Sequence, residues 1–277
     1  MRVLAPAKIN WSLRVLGRRS DGFHDLESLM VPVSVFDELE FEHHPSGQLE
    51  FSCAAEGVPT DETNLVVRAI RLFCESCGLL PGLRVRLHKG IPHGAGLGGG
   101  SSDAAATLLG LNRLFETDLD RETLARMAAD LGSDVPFFVF QSPAWIRGRG
   151  EKVTSVGGMR PVPLLLLKPP FGVPTPWAYQ RWAVSRQIDG VPYGPQDLEE
   201  GTLVNDLERP VFEKYLFLAD LKRWLLTQKE VRGALLSGSG STVFAVLHHR
   251  DLGFELGERV AAEFGSGMWA YLCETLV

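Results

Sequence analysis

The first strand-like stretch of the chain combines an apolar face with a polar one. Between Val3 and Leu16, apolar side chains alternate with polar ones that include Lys8 and Asn10. Because neighbouring side chains of a β-strand point to opposite faces, this alternation predicts a strand in which Lys8 and Asn10 share one face. From the alternation alone, that face is either exposed to solvent or the wall of a site.

The remaining periodicities predict a chain in which strands and helices are mixed. Two-residue alternation and short apolar runs predict strands, whereas apolar residues at three- and four-residue spacing predict helices. The predicted strands cover residues 28–35, 38–42, 48–53, 83–88, 162–168, 242–247 and 268–275, and the predicted helices cover 64–77, 103–115, 121–131 and 254–264, with a further helix from Trp177. Thr63 or Asn64 is expected to cap the first helix, and Gly132 to end the third. This pattern indicates an α/β (α+β) fold.

A basic, glycine-containing segment over residues 144–156 separates two halves of this pattern, and Gly157 and Gly158 follow it. Such a change in composition is typical of a domain boundary. We therefore predict an N-terminal domain over residues 1–155 that carries the glycine-rich loop, and a C-terminal α+β domain over residues 156–277.

The densest glycine run lies between the strand over 83–88 and the helix that follows. It covers Pro92–Ser102 and reads PHGAGLGGGSS. Closely spaced glycines let backbone N–H groups converge on an anion, and a helix that begins at the serines adds the positive end of its dipole. The run lacks the context of a dinucleotide-binding fold and the lysine of a Walker loop, which leaves a simple helix-capping turn as the alternative. We predict that the run binds the phosphates of a nucleotide.

For two further segments, the residues alone are also consistent with a purely structural role. Asp134 precedes Val135 and Pro136, and this arrangement is typical of a helix N-cap. A second glycine turn, LSGSGS over residues 236–241, is by itself a tight connection between two elements. The residues therefore leave the roles of both segments open.

Composition and charge narrow the range of partners. The 277 residues carry a formal net charge of −6, and no basic run is longer than Arg18–Arg19, so we expect no nucleic-acid partner. The apolar runs are too short to span a bilayer, and we expect a cytoplasmic protein without membrane contact or an evident protein partner. Cys74 and Cys77 form a lone C-x-x-C pattern without a second ligand pair, so we interpret the cysteines as reduced thiols.

Seven short motifs, in this order along the chain, are similar to motifs of one superfamily. They are PAKIN, DGFHDLES, NLVVRA, PHGAGLGGGSSDAA, LGSDVPFF, VPTP and LSGSGS. On these motifs the chain resembles the superfamily of galactokinase, homoserine kinase, mevalonate kinase and phosphomevalonate kinase, the GHMP kinases. Within it, DGFHDLES resembles the branch that phosphorylates a cytidine-diphosphate-linked methylerythritol with ATP, on the non-mevalonate route to isoprenoid precursors.

The resemblance implies a two-domain fold with the active site in the cleft between the domains, lined by the turn over residues 236–241. It implies ATP as co-substrate, Mg²⁺, and Lys8 and Asp134 as catalytic residues. Asp134 would accept the proton of the substrate hydroxyl, and Lys8 would keep that carboxylate ionised. The implied ATP-binding residues are Asn64, Pro92, His93, Gly94, Ala95, Gly96, Leu97, Gly98, Gly99, Gly100, Ser101 and Ser102. The metal ligands stay open, although Ser101 or Ser102 offers a hydroxyl.

The resemblance also implies how the substrate is held. The implied substrate-binding residues are Asn10, Phe23, His24, Tyr179, Gly238 and Ser239. Phe23 and Tyr179 would stack on the two faces of the cytosine ring, and His24 would read its edge. Phe23 stands where tyrosine is common in the family.

A second departure concerns the substrate phosphates. Phe140 and Gln141 stand where some relatives have a basic residue, so that Arg147 or Arg149 would take its place. Two other functions stay open: another kinase of the superfamily, such as a homoserine or mevalonate kinase, or a nucleotide-binding regulator without catalysis. The first would lack the paired aromatic residues, and the presence of both Lys8 and Asp134 argues against the second.

Overall fold

The computed structural model describes the whole chain, Met1–Val277, as twelve strands and eight helices. The strands are β1 (Arg2–Arg18), β2 (His24–His43), β3 (Leu49–Cys53), β4 (Leu83–His88), β5 (Ala144–Gly148), β6 (Lys152–Ser155), β7 (Pro163–Lys168), β8 (Gln196–Leu198), β9 (Gly201–Asn205), β10 (Val231–Leu236), β11 (Val243–Leu247) and β12 (Trp269–Glu274). The helices are α1 (Leu65–Cys77), α2 (Gly99–Leu114), α3 (Arg121–Leu131), α4 (Val135–Phe140), α5 (Thr175–Trp182), α6 (Glu208–Lys214), α7 (Leu216–Leu225) and α8 (Leu252–Phe264). None of the helices has the length and apolar character needed to cross a membrane.

These elements form two compact units, and each unit combines segments that are distant in sequence. Unit 1 comprises Met1–Ala7, Val35–His93 and Gly98–Ser142. Unit 2 comprises Lys8–Ser34, Gly94–Leu97 and Pro143–Val277. Strands β1 and β2 and the glycine run therefore each contribute residues to both units. The domain boundary predicted between residues 155 and 156 stays a prediction.

In unit 1, helices α1, α3 and α4 pack around α2. Strand β4 lies between β2 and β3, antiparallel to β2 and parallel to β3. Helix α1 begins where the Asn64 side chain accepts a hydrogen bond from the backbone N–H of Val66, and it ends at Gly78 in the left-handed conformation. Its apolar residues Ile70 and Phe73 are fully buried. This burial, rather than local propensity, stabilises the helix.

In unit 2, β9 pairs parallel with β1 and antiparallel with β8, while β5 pairs antiparallel with β2 and with β6. A separate antiparallel sheet has the strand order β10-β11-β7-β12. The core of this unit combines the apolar strand residues with helical ones such as Phe212, Leu218 and Leu256. Strand β7 is apolar at four successive positions because neither of its faces is exposed.

Two predicted strands, over residues 28–35 and 38–42, form the single strand β2. Asp37 lies in the gap between the two predicted strands, and its side chain is fully buried. Its carboxylate instead forms an ion pair with Lys89 and accepts hydrogen bonds from the backbone N–H groups of Gly90 and Ile91 at 2.7 and 2.8 Å. Because these partners compensate the buried charge, the strand continues through the aspartate.

The helix predicted to begin at Asp103 begins four residues earlier, at Gly99. Gly98 has a φ of 72°, in the left-handed region that favours glycine, and this turn directs the chain into the helix. Strands β5, β6, β8, β9 and β10 were not predicted from the sequence. The hairpin of β5 and β6 lies in the basic segment that the composition marks as a boundary.

Candidate active site

The polar face predicted for β1 is buried in unit 2, and it contains a chain of three hydrogen-bonded side chains. The Nζ of Lys8 donates to the Oδ1 of Asn10 at 2.6 Å, and the Nδ2 of Asn10 donates to the Oγ of Ser28 on β2 at 2.8 Å. Lys8 is 4 % exposed and Asn10 is 1 % exposed. At such low exposure, the polar face of β1 is enclosed by the protein rather than solvated.

The second glycine turn packs against the part of the glycine run that belongs to unit 2. The Ser237 hydroxyl donates to the carbonyl of Gly96 at 3.1 Å, and the N–H of Thr242 donates to the carbonyl of Ala95 at 3.1 Å. The N–H of Lys8 donates to the carbonyl of Leu97 at 3.0 Å. Residues Gly94–Leu97 are therefore held between β1 and the turn over residues 236–241.

Close packing at this contact requires glycine. A Cβ atom on Gly96 would lie 2.2 Å from the carbonyl oxygen of Ser237, and the φ of Gly96 is 77°. Both the distance and the backbone conformation exclude a side chain. A Cβ atom on Gly238, within the turn, would lie 3.2 Å from the Oδ1 of Asn10 and 3.4 Å from the Nζ of Lys8. The turn thus lies directly beside the Lys8–Asn10 pair.

Buried polar groups fix the backbone of this turn. The Nδ2 of Asn205 donates to the carbonyls of both Leu236 and Gly238 at 2.8 Å. Glu208, which is fully buried, accepts from the N–H of Leu236 at 3.0 Å and forms an ion pair with Lys222 at 2.6 Å. Ser239, at 4 % exposure, has its hydroxyl 2.7 Å from that of Thr175, the first residue of α5.

Unit 2 also brings together aromatic side chains of the predicted substrate site. The imidazole of His24 stacks on the ring of Tyr179, with centroids 5.4 Å apart, and meets Trp182 edge-on at 6.2 Å. Burial, with a contribution from the charge of Arg18, lowers the pKa of His24 below its usual value, so the imidazole is neutral at pH 7. A neutral imidazole has one donor and one acceptor for the edge of a base.

Phe23 is 49 % exposed, and its ring lies under the guanidinium of Arg149, 5.2 Å from the ring centroid. Arg149 lies in the turn of the β5–β6 hairpin. The hairpin that was not predicted from the sequence therefore brings one of the two candidate arginines next to a predicted base-stacking residue. The other, Arg147, forms an ion pair with Glu27 at 2.8 Å.

In unit 1, the glycine run ends in the first turn of α2. Ser102 donates its N–H to the carbonyl of Gly98 at 2.9 Å, so the N–H groups of Gly99, Gly100 and Ser101 precede the first intrahelical bond. Ser101 is partly exposed, and Gly100 is exposed. This end of a sixteen-residue helix has the free N–H groups and the dipole that favour an anion.

The same turn contains a hydroxyl that fits a metal ion. The Oγ of Ser102 is buried and has no hydrogen-bond partner within the protein. A buried hydroxyl without a partner is costly unless a ligand or water supplies one. The chain has no cluster of three or more His, Cys, Asp or Glu side chains able to hold a metal ion. A magnesium ion held mainly by nucleotide phosphates needs only one or two protein ligands, and Ser102 fits that requirement.

A buried ionic network underlies the start of α2. Lys89 lies between Asp37 and Asp103, with an Nζ–Oδ2 distance of 2.8 Å to Asp103. Burial raises the pKa of Asp103 to about 8 in spite of the adjacent ammonium group. A Cβ atom on Gly99 would lie 3.2 Å from the Nζ of Lys89 and 3.3 Å from Asp37. The ionic network therefore packs directly against the first residue of α2.

Two further residues of the predicted site lie in unit 1. Asn64 uses its Oδ1 to cap α1 and its Nδ2 to donate to the carbonyl of Pro59 at 2.6 Å. Asp134 immediately precedes α4, but its side chain makes no capping hydrogen bond. Asp134 thus occupies the N-cap position that the sequence predicts, without a side-chain hydrogen bond to the helix that follows.

Three residues that contact the site, Ser28, Thr175 and Asn205, were not predicted from the sequence. Ser28 and Thr175 lie inside two of the quoted motifs, DGFHDLES and VPTP, which is the signal that marks them. Asn205 follows the two apolar residues Leu203 and Val204, and nothing in its local sequence indicates a link to a turn thirty-one positions later.

Comparison with known proteins defines the class. Residues 64–142 match the family model "GHMP kinases N terminal domain", and residues 196–266 match "GHMP kinases C terminal". A crystal structure of homoserine kinase from Cytophaga hutchinsonii, 20 % identical in sequence, superposes with a TM-score of 0.72 over 100 % of this chain and 94 % of that one. The fold is that of the GHMP kinases, which confirms the α/β fold class and the superfamily.

Full-length relatives define the family more narrowly. The 4-diphosphocytidyl-2-C-methyl-D-erythritol kinase of Methylacidiphilum infernorum is 44 % identical over 98 % of this chain and 96 % of its own length, and that of Syntrophotalea carbinolica is 38 % identical over 95 % of both. A crystal structure of 4-(cytidine 5'-diphospho)-2C-methyl-D-erythritol kinase, 37 % identical, covers both chains completely with a TM-score of 0.81. The chain belongs to the 4-diphosphocytidyl-2-C-methyl-D-erythritol kinase family and is an ATP-dependent kinase.

Proposed function

We propose that this protein transfers the terminal phosphoryl group of ATP to the 2-hydroxyl of the methylerythritol moiety of 4-diphosphocytidyl-2-C-methyl-D-erythritol, a step in non-mevalonate isoprenoid precursor synthesis. The observation that carries the proposal is the arrangement within unit 2. The buried pair of Lys8 and Asn10 and the aromatic pair of His24 and Tyr179 lie on the same compact unit. The first pair suits a reacting hydroxyl, and the second suits a flat base.

ATP binding is assigned to the glycine run, Pro92–Ser102, together with Asn64. The free N–H groups at the start of α2 would donate hydrogen bonds to phosphate oxygens, and the helix dipole adds to the attraction. Ser102 would hold Mg²⁺ through its unpartnered hydroxyl. When bound, the ion neutralises charge on the phosphates of ATP. Asn64 supports the run indirectly in this proposal, because its Oδ1 caps α1 and its Nδ2 donates to the carbonyl of Pro59.

We assign proton transfer to Asp134 and charge stabilisation to Lys8. Phosphoryl transfer demands little covalent chemistry of the protein, so positioning and charge account for most of the rate. Asp134 would accept the proton of the attacking hydroxyl. The buried ammonium of Lys8 would stabilise negative charge on the reacting groups.

The cytidine end of the substrate is assigned to His24, Tyr179 and Phe23. Tyr179 offers an aromatic face, and neutral His24 offers a donor and an acceptor to the edge of cytosine. Gly238 would face the substrate near the reacting end, since it lies beside Lys8 and Asn10, and Ser239 follows it in the same turn. Arg149 is the better candidate for the substrate phosphates, because Arg147 is already paired with Glu27.

We further assign the reaction to the cytoplasm and keep the division at residues 155 and 156 as the proposed domain boundary. All four cysteines are free, as expected in a reducing compartment. No nucleic acid, membrane or protein partner is part of the proposal.

A substrate panel tests the assignment directly. The purified protein is supplied with Mg²⁺-ATP and either the cytidine-diphosphate-linked methylerythritol, free methylerythritol, homoserine or mevalonate, and ADP release is followed. We expect efficient turnover with the cytidine-linked substrate alone. Comparable turnover of homoserine or mevalonate would overturn the substrate assignment and leave only the kinase class, whereas ATP binding without any turnover would favour a non-catalytic regulator.

A further inference from the structure

We propose that Ser28 is a positioning residue for phosphoryl transfer: its hydroxyl fixes the orientation of the Asn10 amide, and the amide holds the ammonium of Lys8 in place. The proposal rests on the function proposed above, because it assigns a role to Lys8 in that reaction. It adds a residue for which neither the sequence nor the family motifs supplied a task.

The geometry allows only one assignment of donors and acceptors among the side chains of Lys8, Asn10 and Ser28. Lys8 has only donors on its ammonium group, so the atom of Asn10 that lies 2.6 Å from Nζ must be the acceptor Oδ1. The amide nitrogen then faces Ser28, at 2.8 Å from its Oγ. The Ser28 hydroxyl donates its own proton to the backbone carbonyl of Ser12 at 2.6 Å, so its oxygen is left to accept from Asn10.

An amide flip would break two hydrogen bonds at once. In the flipped orientation the Nδ2 of Asn10 would lie 2.6 Å from the Nζ of Lys8, a contact between two donors, and its Oδ1 would face a hydroxyl already committed to Ser12. The orientation that suits Lys8 is therefore the one that Ser28 enforces. Without a hydroxyl at position 28, one of these two penalties disappears, and the amide is less strictly oriented.

Burial makes this orientation depend on the protein rather than on water. Ser28 is fully buried, Asn10 is 1 % exposed and Lys8 is 4 % exposed. The glycine turn lies against the pair, since a Cβ atom on Gly238 would lie 3.2 Å from the Asn10 Oδ1 and 3.4 Å from the Lys8 Nζ. A buried hydrogen-bond network loses its geometry when one member is removed.

The anchor of the network is the sheet itself. Ser12 lies on β1, like Lys8 and Asn10, and its Oγ accepts a hydrogen bond from the N–H of Leu29 on β2 at 3.0 Å. Side chains of β1 and β2 thus cross-link the two strands at adjacent positions. Ser28 connects this rigid framework to the side chain that contacts Lys8, which is the arrangement expected of a support for a catalytic group.

The first test is kinetic. Ser28→Ala is expected to lower kcat with the cytidine-linked substrate by about 10- to 100-fold while the KM for ATP changes by less than about twofold, because only the positioning of Lys8 is altered. Ser34→Ala is the matched control: it removes a hydroxyl from the same strand whose partner is the N–H of Glu274, and it should leave kcat unchanged. A normal kcat for Ser28→Ala would refute the proposal.

A double-mutant cycle separates positioning from a general loss of structure. If Ser28 acts through the amide, Ser28→Ala should change kcat by less than about twofold when Asn10 is already alanine. Full additivity of the two substitutions would overturn the proposal. If Ser28→Ala fails to fold, the pair Ser28→Thr and Ser28→Val replaces it, since the two differ by the hydroxyl: the threonine variant should recover most of the activity that the valine variant loses.

The last readout does not require the substrate. In uniformly ¹⁵N-labelled protein, the Nδ2 protons of Asn10, assigned by their loss in Asn10→Ala, should exchange slowly with water in the wild type and at least about tenfold faster in Ser28→Ala. Unchanged exchange would refute the link between Ser28 and the amide. If wild-type protein lacks activity on the cytidine-linked substrate but shows this exchange difference, the proposed substrate fails while the link stands.

Discussion

The substitution Gly100→Ala separates ligand binding from folding more sharply than any other change in the glycine run. Gly100 is the second residue of α2 and is exposed. A Cβ atom there would have one neighbour within 4 Å, the Cδ1 of Leu65 at 3.8 Å, which is an ordinary van der Waals contact. Its φ is not in the left-handed region. The fold therefore accepts the methyl group, whereas a phosphate approaching the same N–H groups would meet it.

The change in stability and the change in ATP affinity have opposite signs, and general energies for a helical alanine and a phosphate hydrogen bond give their sizes. Alanine in place of glycine in a helix stabilises it by up to about 1 kcal/mol, which for a protein of this size raises Tm by roughly 2–4 °C. Loss of one hydrogen bond to a charged phosphate costs about 1.5–3 kcal/mol, or a rise in the Kd for ATP of about 10- to 150-fold. We expect a protein that is at least as stable as the wild type and binds ATP more weakly.

Calorimetric titration with Mg²⁺-ATP and thermal unfolding of the ligand-free protein measure the two effects separately. Gly257→Ala is the matched control, because Gly257 lies within α8 and a Cβ atom there would have no neighbour within 4 Å. It should raise Tm similarly and leave ATP affinity unchanged. If Gly100→Ala binds ATP as tightly as the control, the nucleotide phosphates do not approach the start of α2, and the assignment of the glycine run is wrong.

Three further predictions follow from the site. Asp134→Asn and Lys8→Ala should each lower kcat by about 10²-fold or more with little change in ATP affinity by calorimetry, and near-normal turnover would remove the residue concerned from the catalytic step. Tyr179→Ala should raise the KM for the cytidine-linked substrate about five- to hundredfold, corresponding to about 1–3 kcal/mol of lost stacking, and leave the KM for ATP alone; an unchanged KM would exclude Tyr179 as a base platform. Because the pKa of Asp103 is raised, the folded state keeps a proton on this carboxyl group that the unfolded state releases. The contribution of Asp103 to the free energy of unfolding therefore falls as the pH rises from about 4 to about 8. Asp103→Asn should flatten that part of the stability curve in ligand-free, metal-free protein, and an unchanged slope in denaturant titrations would contradict the argument.

The elements with strong local periodicity were predicted correctly from the sequence. Helix α3 has the predicted bounds, and α1 differs only in that its predicted first residue, Asn64, is its cap. The predictions were wrong where a residue distant in sequence compensates a charge that locally indicates the end of a strand. Asp37 looks like a strand break until Lys89, fifty-two positions later, compensates its charge. No pattern in the neighbourhood of Asp37 contains that information, because the compensation is a property of the folded sheet.

The site shows the same division between local and distant information. The motifs identify Lys8, Asn10 and the glycine run because these residues are contiguous or regularly spaced. Residues that support them from another element remain unassigned: Asn205 holds the carbonyl of Gly238 from thirty-three positions away. Phe23 and Tyr179 stay a predicted clamp for cytosine, while the ring stacked on Tyr179 in the structure is that of His24.

The glycine run shows why spacing alone is an unreliable guide to a ligand site. Gly96 and Gly100 look equivalent in the sequence, yet a side chain on Gly96 would collide with the backbone of Ser237, whereas one on Gly100 would meet only Leu65. Glycine at position 96 is required by packing within the protein, so weaker ATP binding after Gly96→Ala would be an indirect effect of a distorted fold. Glycine at position 100 is not required by packing. If Gly100→Ala nevertheless weakens ATP binding in a stable protein, the effect comes from a clash with the bound nucleotide, as the proposed site predicts.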